Sequence, residues 1–416
     1  MDSSQESGQS SSLAGQREYR ILPIPERLEV HEQYTGRGVT IAFLDSGYYA
    51  HPDLVEPVNR VVGYANVLSD RRQPEDLWQE IAEPNEDAWH GMMTSVVAAG
   101  NGSLSQGVYR GIAWQAELVL VKVGTRGRIR HDDIRRGIEW VIEHKEQYGI
   151  RILNISCGGD HEAPYWADPL CQAAEAAVRA GLVVVVAAGN KGHDPPHPVL
   201  PPASAPSVIT VGGLNDNNQI DWGEFQLYHS SYGPTIDGLQ KPEVIAPAIG
   251  FAAPILPGTP VAAQAALLET LDRARPNQVK GIVRQHKGVE PALDAALNRP
   301  MIELQRLARA LKQANNVISA HYKHVDGTSF AAPIVSSIVA QMLEANPQLT
   351  PQQAKLALIK TARRLPRYEV DRQGWGVVNP RRAVQMVLHR SAPLASNSIT
   401  EAPDASRSDS TIGGLP

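Results

Sequence analysis

Five short runs constrain this chain more than any other feature: GVTIAFLD (38–45), ELVLVKV (117–123), RILNIS (151–156), LVVVVAAGN (182–190) and SVITVGG (207–213). Each is rich in branched residues, nearly free of charge and short, which is the character of strands covered on both faces. Between the second and third lies HDDIRRGIEWVIEHKEQYG, where Ile134, Ile138, Val141 and Ile142 share one helical face. Another helix candidate follows Asp168, and TPQQAKLALIKTARR opens on a threonine cap with Pro351 behind it. Strands alternating with helices imply an α/β fold with a mostly parallel sheet and helices on both faces. Reactive groups in such sheets collect in loops at the carboxyl ends of the strands.

One segment breaks the rhythm. From 261 to 323 the strand signals vanish, and Leu304, Leu307, Ala308 and Leu311 make a helical stripe. It holds ten Lys/Arg against five Asp/Glu, a local charge of +5 in a chain whose net charge is −5. We read it as a helical insertion beside the active-site rim, serving as a lid, as a docking surface for an acidic protein partner, or as a stabilising elaboration. For the whole chain, the acidic balance implies no nucleic-acid partner. The longest uncharged run, 244–268, contains Pro247, Pro254, Pro257 and Pro260, which break a spanning helix, so no membrane segment is expected. Two cysteines, Cys157 and Cys171, are too few for a disulfide framework, and MDSSQESGQSSSLAGQ lacks a signal pattern. A cytoplasmic location is the expectation. Residues 1–17 and 391–416 read as disordered ends around a single domain, 18–390.

Four polar residues stand where chemistry would gather. Asp45 ends the first run, His90 opens HGMMTSVVAAG, Asn190 ends LVVVVAAGN, and Ser329 lies in DGTSFAAPIVSSIVAQMLE. Singly, each is ordinary: a turn aspartate, a structural histidine, a turn amide, a helix-capping serine. Together they supply a nucleophile, a base, a carboxylate to hold the base in one tautomer, and an amide for developing negative charge. Pro333 is expected in the first turn of the helix behind Ser329.

These motifs resemble those of the subtilisin-like serine proteases, the subtilases, over roughly residues 35–250 and 324–390. LDSGYYAHPDL, HGMMTSVVAAG, VVVVAAGN and DGTSFAAP carry the resemblance, with support from VKVG, GIEWVI, NISCGG and KPEVIAPA. GWGVVNPRRAV resembles the intracellular AprX-like branch. The resemblance implies a subtilisin-like three-layer fold and endopeptidase activity on peptides or unfolded proteins. Asp45 would orient the base, His90 would act as base and then acid, Ser329 would form the acyl-enzyme, and Asn190 would donate to the oxyanion. Ser156, Cys157 and Gly158 would pair with substrate backbone, while Ala187, Ala188 and Gly189 would line the specificity pocket. Lys122, Val123 and Gly124 would form the opposite wall of the cleft. A catalytically weak or inactive peptide-binding scaffold on the same fold is the alternative.

The chain departs from the family pattern in several places. Met92-Met93 replace a common Thr-His pair, and Asp326 precedes Gly-Thr-Ser where Asn or Ser is frequent. Tyr48 and Tyr49 stand where secreted relatives keep an aspartate that binds calcium, so no cofactor is expected to be required and the usual high-affinity calcium site is expected to be lost, with calcium binding elsewhere left open. Asn85, Glu86 and Asp87 read as an acidic solvated loop. About 35 residues precede the catalytic core, and the expectation is either that a short segment around ILPIP restrains the enzyme in cis or that inhibition is supplied elsewhere.

Overall fold

A computed structural model describes residues 21–69, 74–193 and 197–391. The expected disordered ends lie outside these residues, apart from Ser391, which closes the last helix. Among the described residues twelve strands occur, in chain order: β1 (Thr40–Asp45), β2 (Val61–Asn66), β3 (Glu117–Lys122), β4 (Gly124–Thr125), β5 (Arg128–Ile129), β6 (Ile150–Ile155), β7 (Val183–Ala187), β8 (Ile209–Asn215), β9 (Gln226–Leu227), β10 (Val244–Pro247), β11 (Phe251–Pro254) and β12 (Tyr322–Val325). Seven of them form a parallel sheet in the order β10-β8-β7-β6-β1-β3-β2, and β9 adds antiparallel to β8. All five apolar runs of the sequence lie in this sheet.

Alternation along each strand builds the three layers. Ile41 and Phe43 of β1, Leu118 and Leu120 of β3, and Val183 and Val185 of β7 face one core. Ala42 and Leu44, Val119 and Val121, and Val184 and Val186 face the other. Helices are numbered in chain order. The first four are α1 (Ile24–Arg27), α2 (Pro52–Val55), α3 (Pro74–Ala82) and α4 (Ala88–Ala99). Next come α5 (His131–Tyr148) and α6 (Pro169–Arg179), which cover the second face, and Asp168 caps α6 by accepting from Cys171 N–H. The first face is covered by α4 together with α11 (Thr328–Ala345). Every residue of α11 from Phe330 to Leu343 is buried, as a helix apolar on all sides must be. Its two buried mid-helix serines are satisfied: Ser336 Oγ donates to Asn154 Oδ1, and Ser337 Oγ donates to the Ala98 carbonyl.

The insertion folds as α7 (Pro260–Arg273), α8 (Pro276–Gln285), α9 (Pro291–Ala295) and α10 (Met301–Ala314) around an apolar cluster of its own. Its last expected helical residues, Tyr322 and Lys323, belong instead to β12, which pairs antiparallel with β11 and closes the excursion. Tyr322 is fully buried, and its hydroxyl donates to Asp53 Oδ2 at 2.6 Å, bolting the exit of the insertion to α2. Then α12 (Pro351–Thr361), α13 (Val370–Gln373) and α14 (Pro380–Ser391) complete the chain. Among the described residues no helix is long and apolar enough to cross a membrane, and Cys157 and Cys171 are both free thiols.

Candidate active site

Asp45 is the last residue of β1 and is buried. It accepts from Ser46 N–H at 2.7 Å and from Thr94 Oγ1 at 3.3 Å. Both carboxylate oxygens also face Nδ1 of His90, at 2.8 and 2.9 Å. The carboxylate can only accept, so the proton of a neutral His90 sits on Nδ1 and the lone pair on Nε2. Burial lowers the His90 pKa, but the charge and hydrogen bond of Asp45 outweigh it and hold the imidazole above its ordinary value. The approach depends on Gly91, because a Cβ there would fall 2.2 Å from the Gly47 carbonyl. Met92 and Met93 are buried, and Tyr48 is buried too, with its hydroxyl donating to the Phe43 carbonyl. Tyr48 thus offers no carboxylate and spends its one polar group internally, so it does not fit a calcium ligand.

Ser329 is half-buried at the start of α11, reached through Gly327 at φ 141°, a conformation that suits glycine. Its neighbour Phe330 stands with its ring centroid 5.8 Å from that of His90. In this conformation Ser329 Oγ donates to the Ser156 carbonyl at 3.2 Å. The helix begins one residue earlier than the serine, so Pro333 sits inside it and not in its first turn. A proline has no N–H for the carbonyl four residues back. That carbonyl belongs to Ser329, and the Ser156 hydroxyl takes the missing donor's place at 2.9 Å.

Asn190 lies exposed just beyond β7. Its Oδ1 accepts from both Thr328 N–H and Thr328 Oγ1 at 3.0 Å, and Thr328 Oγ1 in turn accepts from Gly189 N–H at 3.2 Å. Two donors on one oxygen fix the amide orientation and leave Nδ2 as the outward donor. Buried Thr328 thus positions the Asn190 amide, a contact that nothing local in the sequence marks.

The remaining site residues divide. Ser156, Cys157 and Gly158 directly follow β6, with Ser156 buried, Cys157 half-buried and Gly158 exposed. The Cys157 thiol lies 3.8 Å from the Leu44 carbonyl, and burial, then the Asp45 charge, push its pKa well up, so it is poorly ionised. Ala187 ends β7, Ala188 is buried, and the Gly189 carbonyl accepts from Ser231 N–H. Lys122 and Val123 are buried and do not present side chains to an open wall. Lys122 Nζ is drawn to Asp87 Oδ2 at 3.1 Å and to Glu80 at 3.4 Å, because a buried ammonium needs countercharge. Gly124 starts a short hairpin, β4–β5, on which Arg128 is exposed and Ile129 packs half-buried against the second core. Asp87 is correspondingly engaged by Lys122 and by Arg126 N–H, so the acidic loop is partly neutralised by the protein itself. Asp326 accepts from Gly250 N–H, a turn role. Leu22, Pro23 and Ile24 of the ILPIP segment line a small pocket with Val96, Val97 and Phe251, about two helical turns past His90.

A three-layer parallel α/β scaffold, with a carboxylate-held histidine and a serine at the mouth of a buried helix, defines the class of nucleophile-and-base hydrolases. The chain belongs to the subtilase family, whose model matches residues 36–376. It is 32% identical over 360 residues to serine protease AprX of Bacillus subtilis (strain 168), a match covering 84% of this chain and 67% of that protein. Two solved structures share the fold. The CspB protease of Clostridium perfringens has a TM-score of 0.61 at 16% identity, with 89% of this chain and 97% of that one covered. Fervidolysin of Fervidobacterium pennivorans, described as a keratinolytic enzyme related to subtilisin, has a TM-score of 0.57 at 22% identity. That match covers 87% of this chain but 45% of fervidolysin, so the chain spans under half of the larger protein.

Proposed function

We propose that the chain is a serine endopeptidase acting through Asp45, His90 and Ser329. The observation that carries this reading is the Asp45–His90 pair, which leaves a basic lone pair on Nε2 beside the start of α11. Rotation about the Cα–Cβ bond of Ser329 releases Oγ from the Ser156 carbonyl and offers its proton to His90 Nε2. Oγ then attacks the scissile carbonyl carbon. The oxyanion accepts from Asn190 Nδ2 and from the backbone N–H of Ser329, while imidazolium is stabilised by Asp45. His90 returns its proton to the leaving amine, and water resolves the acyl-enzyme by the same route.

Substrate is an extended peptide or unfolded segment that lies along Ser156–Gly158 by main-chain hydrogen bonds, a mode tolerant of sequence. The small residues Ala187, Ala188 and Gly189 leave room for a large side chain beside the reacting carbonyl. None of these steps calls on a metal ion. Free Cys157 and Cys171 favour a reducing, cytoplasmic compartment.

The hydrogen bond from Ser329 Oγ to the Ser156 carbonyl is the one feature that favours a silent peptide-binding scaffold. A fluorophosphonate probe with peptide mapping separates the two readings. Labelling at Ser329 is expected, absent in Ser329→Ala and sharply reduced in His90→Ala. A folded protein that never labels, yet binds peptides, refutes the enzyme.

A further inference from the structure

Away from the triad, the described residues bring together one group of metal-ligating side chains. His131, Asp160 and His161 each place a ligand atom within 4.8 Å of the others. His131 opens α5, while Asp160 and His161 lie in the loop just after Gly158. The His131 ring is not free to choose its tautomer. Its Nε2 stands 2.8 Å from Oδ2 of buried Asp168, whose other oxygen accepts from Cys171 N–H at 2.7 Å. A carboxylate offers only lone pairs, so the proton resides on Nε2 and Nδ1 keeps its own lone pair.

That Nδ1 is buried and has no hydrogen-bond partner. Buried acceptors are seldom left unsatisfied, and one that is calls for an explanation. Gly159 stands beside it, and a Cβ there would come within 2.4 Å of Nδ1, so any larger residue would close this side of the ring. The His161 ring stacks on His131 with centroids 4.7 Å apart, and its Nδ1 lies 2.8 Å from Asp160 Oδ1. A carboxylate–histidine pair with a free second nitrogen, facing another imidazole and another carboxylate, is the arrangement by which proteins orient histidine ligands.

We infer that His131 Nδ1, His161 and Asp160 bind a divalent transition-metal ion, zinc, with Asp168 orienting His131 and water completing the set. Two imidazole nitrogens and one carboxylate oxygen suit zinc, whereas calcium and magnesium call for oxygen ligands. Bonds of about 2.0–2.1 Å require the ligand atoms to close in by roughly an ångström. Asp160 and His161 are both exposed and supply that movement by side-chain rotation, His161 turning out of its stack. Asp160 and Asp168 offset the ionic charge against the dipole at the start of α5, where Asp132 and Asp133 are already paired with Arg135 and Arg136. The bound ion ties the loop after Gly158 to the start of α5. The inference stands whether or not the chain is a protease.

Full-length protein is titrated with zinc, and in parallel with calcium, by isothermal calorimetry; Ser329→Ala is used beside the wild type to prevent self-cleavage. One zinc ion per chain at micromolar concentrations is expected, with calcium far weaker. His161→Ala and Asp160→Ala, both at exposed positions, should each weaken binding about tenfold or more, and His131→Gln should abolish it. Asp168→Asn keeps an acceptor for Cys171 but loses the fixed carboxylate, and about a tenfold loss is expected. Cobalt in place of zinc gives visible bands that His161→Ala should alter. No stoichiometric zinc, calcium binding of equal strength, or a zinc site indifferent to all four variants overturns the inference. The last outcome would place the ion on other imidazoles, such as the stacked His193–His229 pair.

Discussion

Thr328→Val isolates the device that orients Asn190, the proposed oxyanion donor. Valine keeps the shape of the buried side chain and deletes only Oγ1. Lost with it are the 3.0 Å bond to Asn190 Oδ1 and the acceptor for Gly189 N–H, while the backbone bond from Thr328 N–H to Asn190 remains. A net neutral hydrogen bond is worth about 0.5–1.5 kcal/mol. If that amount orients Asn190 mainly in the transition state, kcat falls about two- to tenfold with KM unchanged. Asn190→Ala removes the donor itself and should cost about 10²–10³ in kcat, the span established for such a donor in subtilisin. Once Asn190 is gone, Thr328 has nothing to orient, so the double variant should be no slower than Asn190→Ala. The assay is steady-state cleavage of a chromogenic peptide, with a thermal melt to exclude unfolding. Full additivity of the two losses in a folded double variant, or an effect confined to KM, would refute the reasoning.

Two further outcomes follow from charge. Because Asp45 raises the His90 pKa above its ordinary 6.5, peptide cleavage should rise with pH through a midpoint above that value. The same shift stabilises the folded state below about 6.5 and is withdrawn as pH climbs past the raised pKa, so a flat pH–rate profile would remove His90 as the base. Arg27 is buried, its Nε donates to Asp216 Oδ2 at 2.8 Å, and its guanidinium also serves the Ile249 and Gly250 carbonyls. Arg27→Met leaves the Asp216 charge buried and should cost about 3–5 kcal/mol in chemical denaturation, much of it regained on adding Asp216→Leu. An unchanged unfolding midpoint would contradict the pairing.

Local pattern carried far in this chain. The strands β1, β3, β6, β7 and β8 announce themselves by branched apolar runs, and Thr350 and Asp168 cap helices as their side chains suggest. The edge strand β2 did not stand out, because Gly63 and a partly exposed face dilute its pattern. The ion pairs of Lys122 were not legible, since Glu80 and Asp87 lie some 40 residues earlier and no local signal ties them to it. Pro333 lies beyond the first turn of α11 because the helix already begins at Thr328, and the Ser156 hydroxyl, just past β6, supplies the donor that proline lacks. Thr328 was visible as a motif letter, but its role needed the position of Asn190.

Sequence alone determined which segments become buried strands and helices, and which four polar residues could do chemistry, because periodicity and side-chain type are properties of neighbours along the chain. Tertiary structure decided what those residues touch. The single proton position on His90, the orientation of the Asn190 amide, the hydroxyl of Ser156 that replaces the donor missing at Pro333, and the orphan nitrogen of His131 each arise between segments tens to hundreds of residues apart. Hydrogen-bond direction and burial are pairwise facts of three-dimensional packing, and no reading along one dimension contains them.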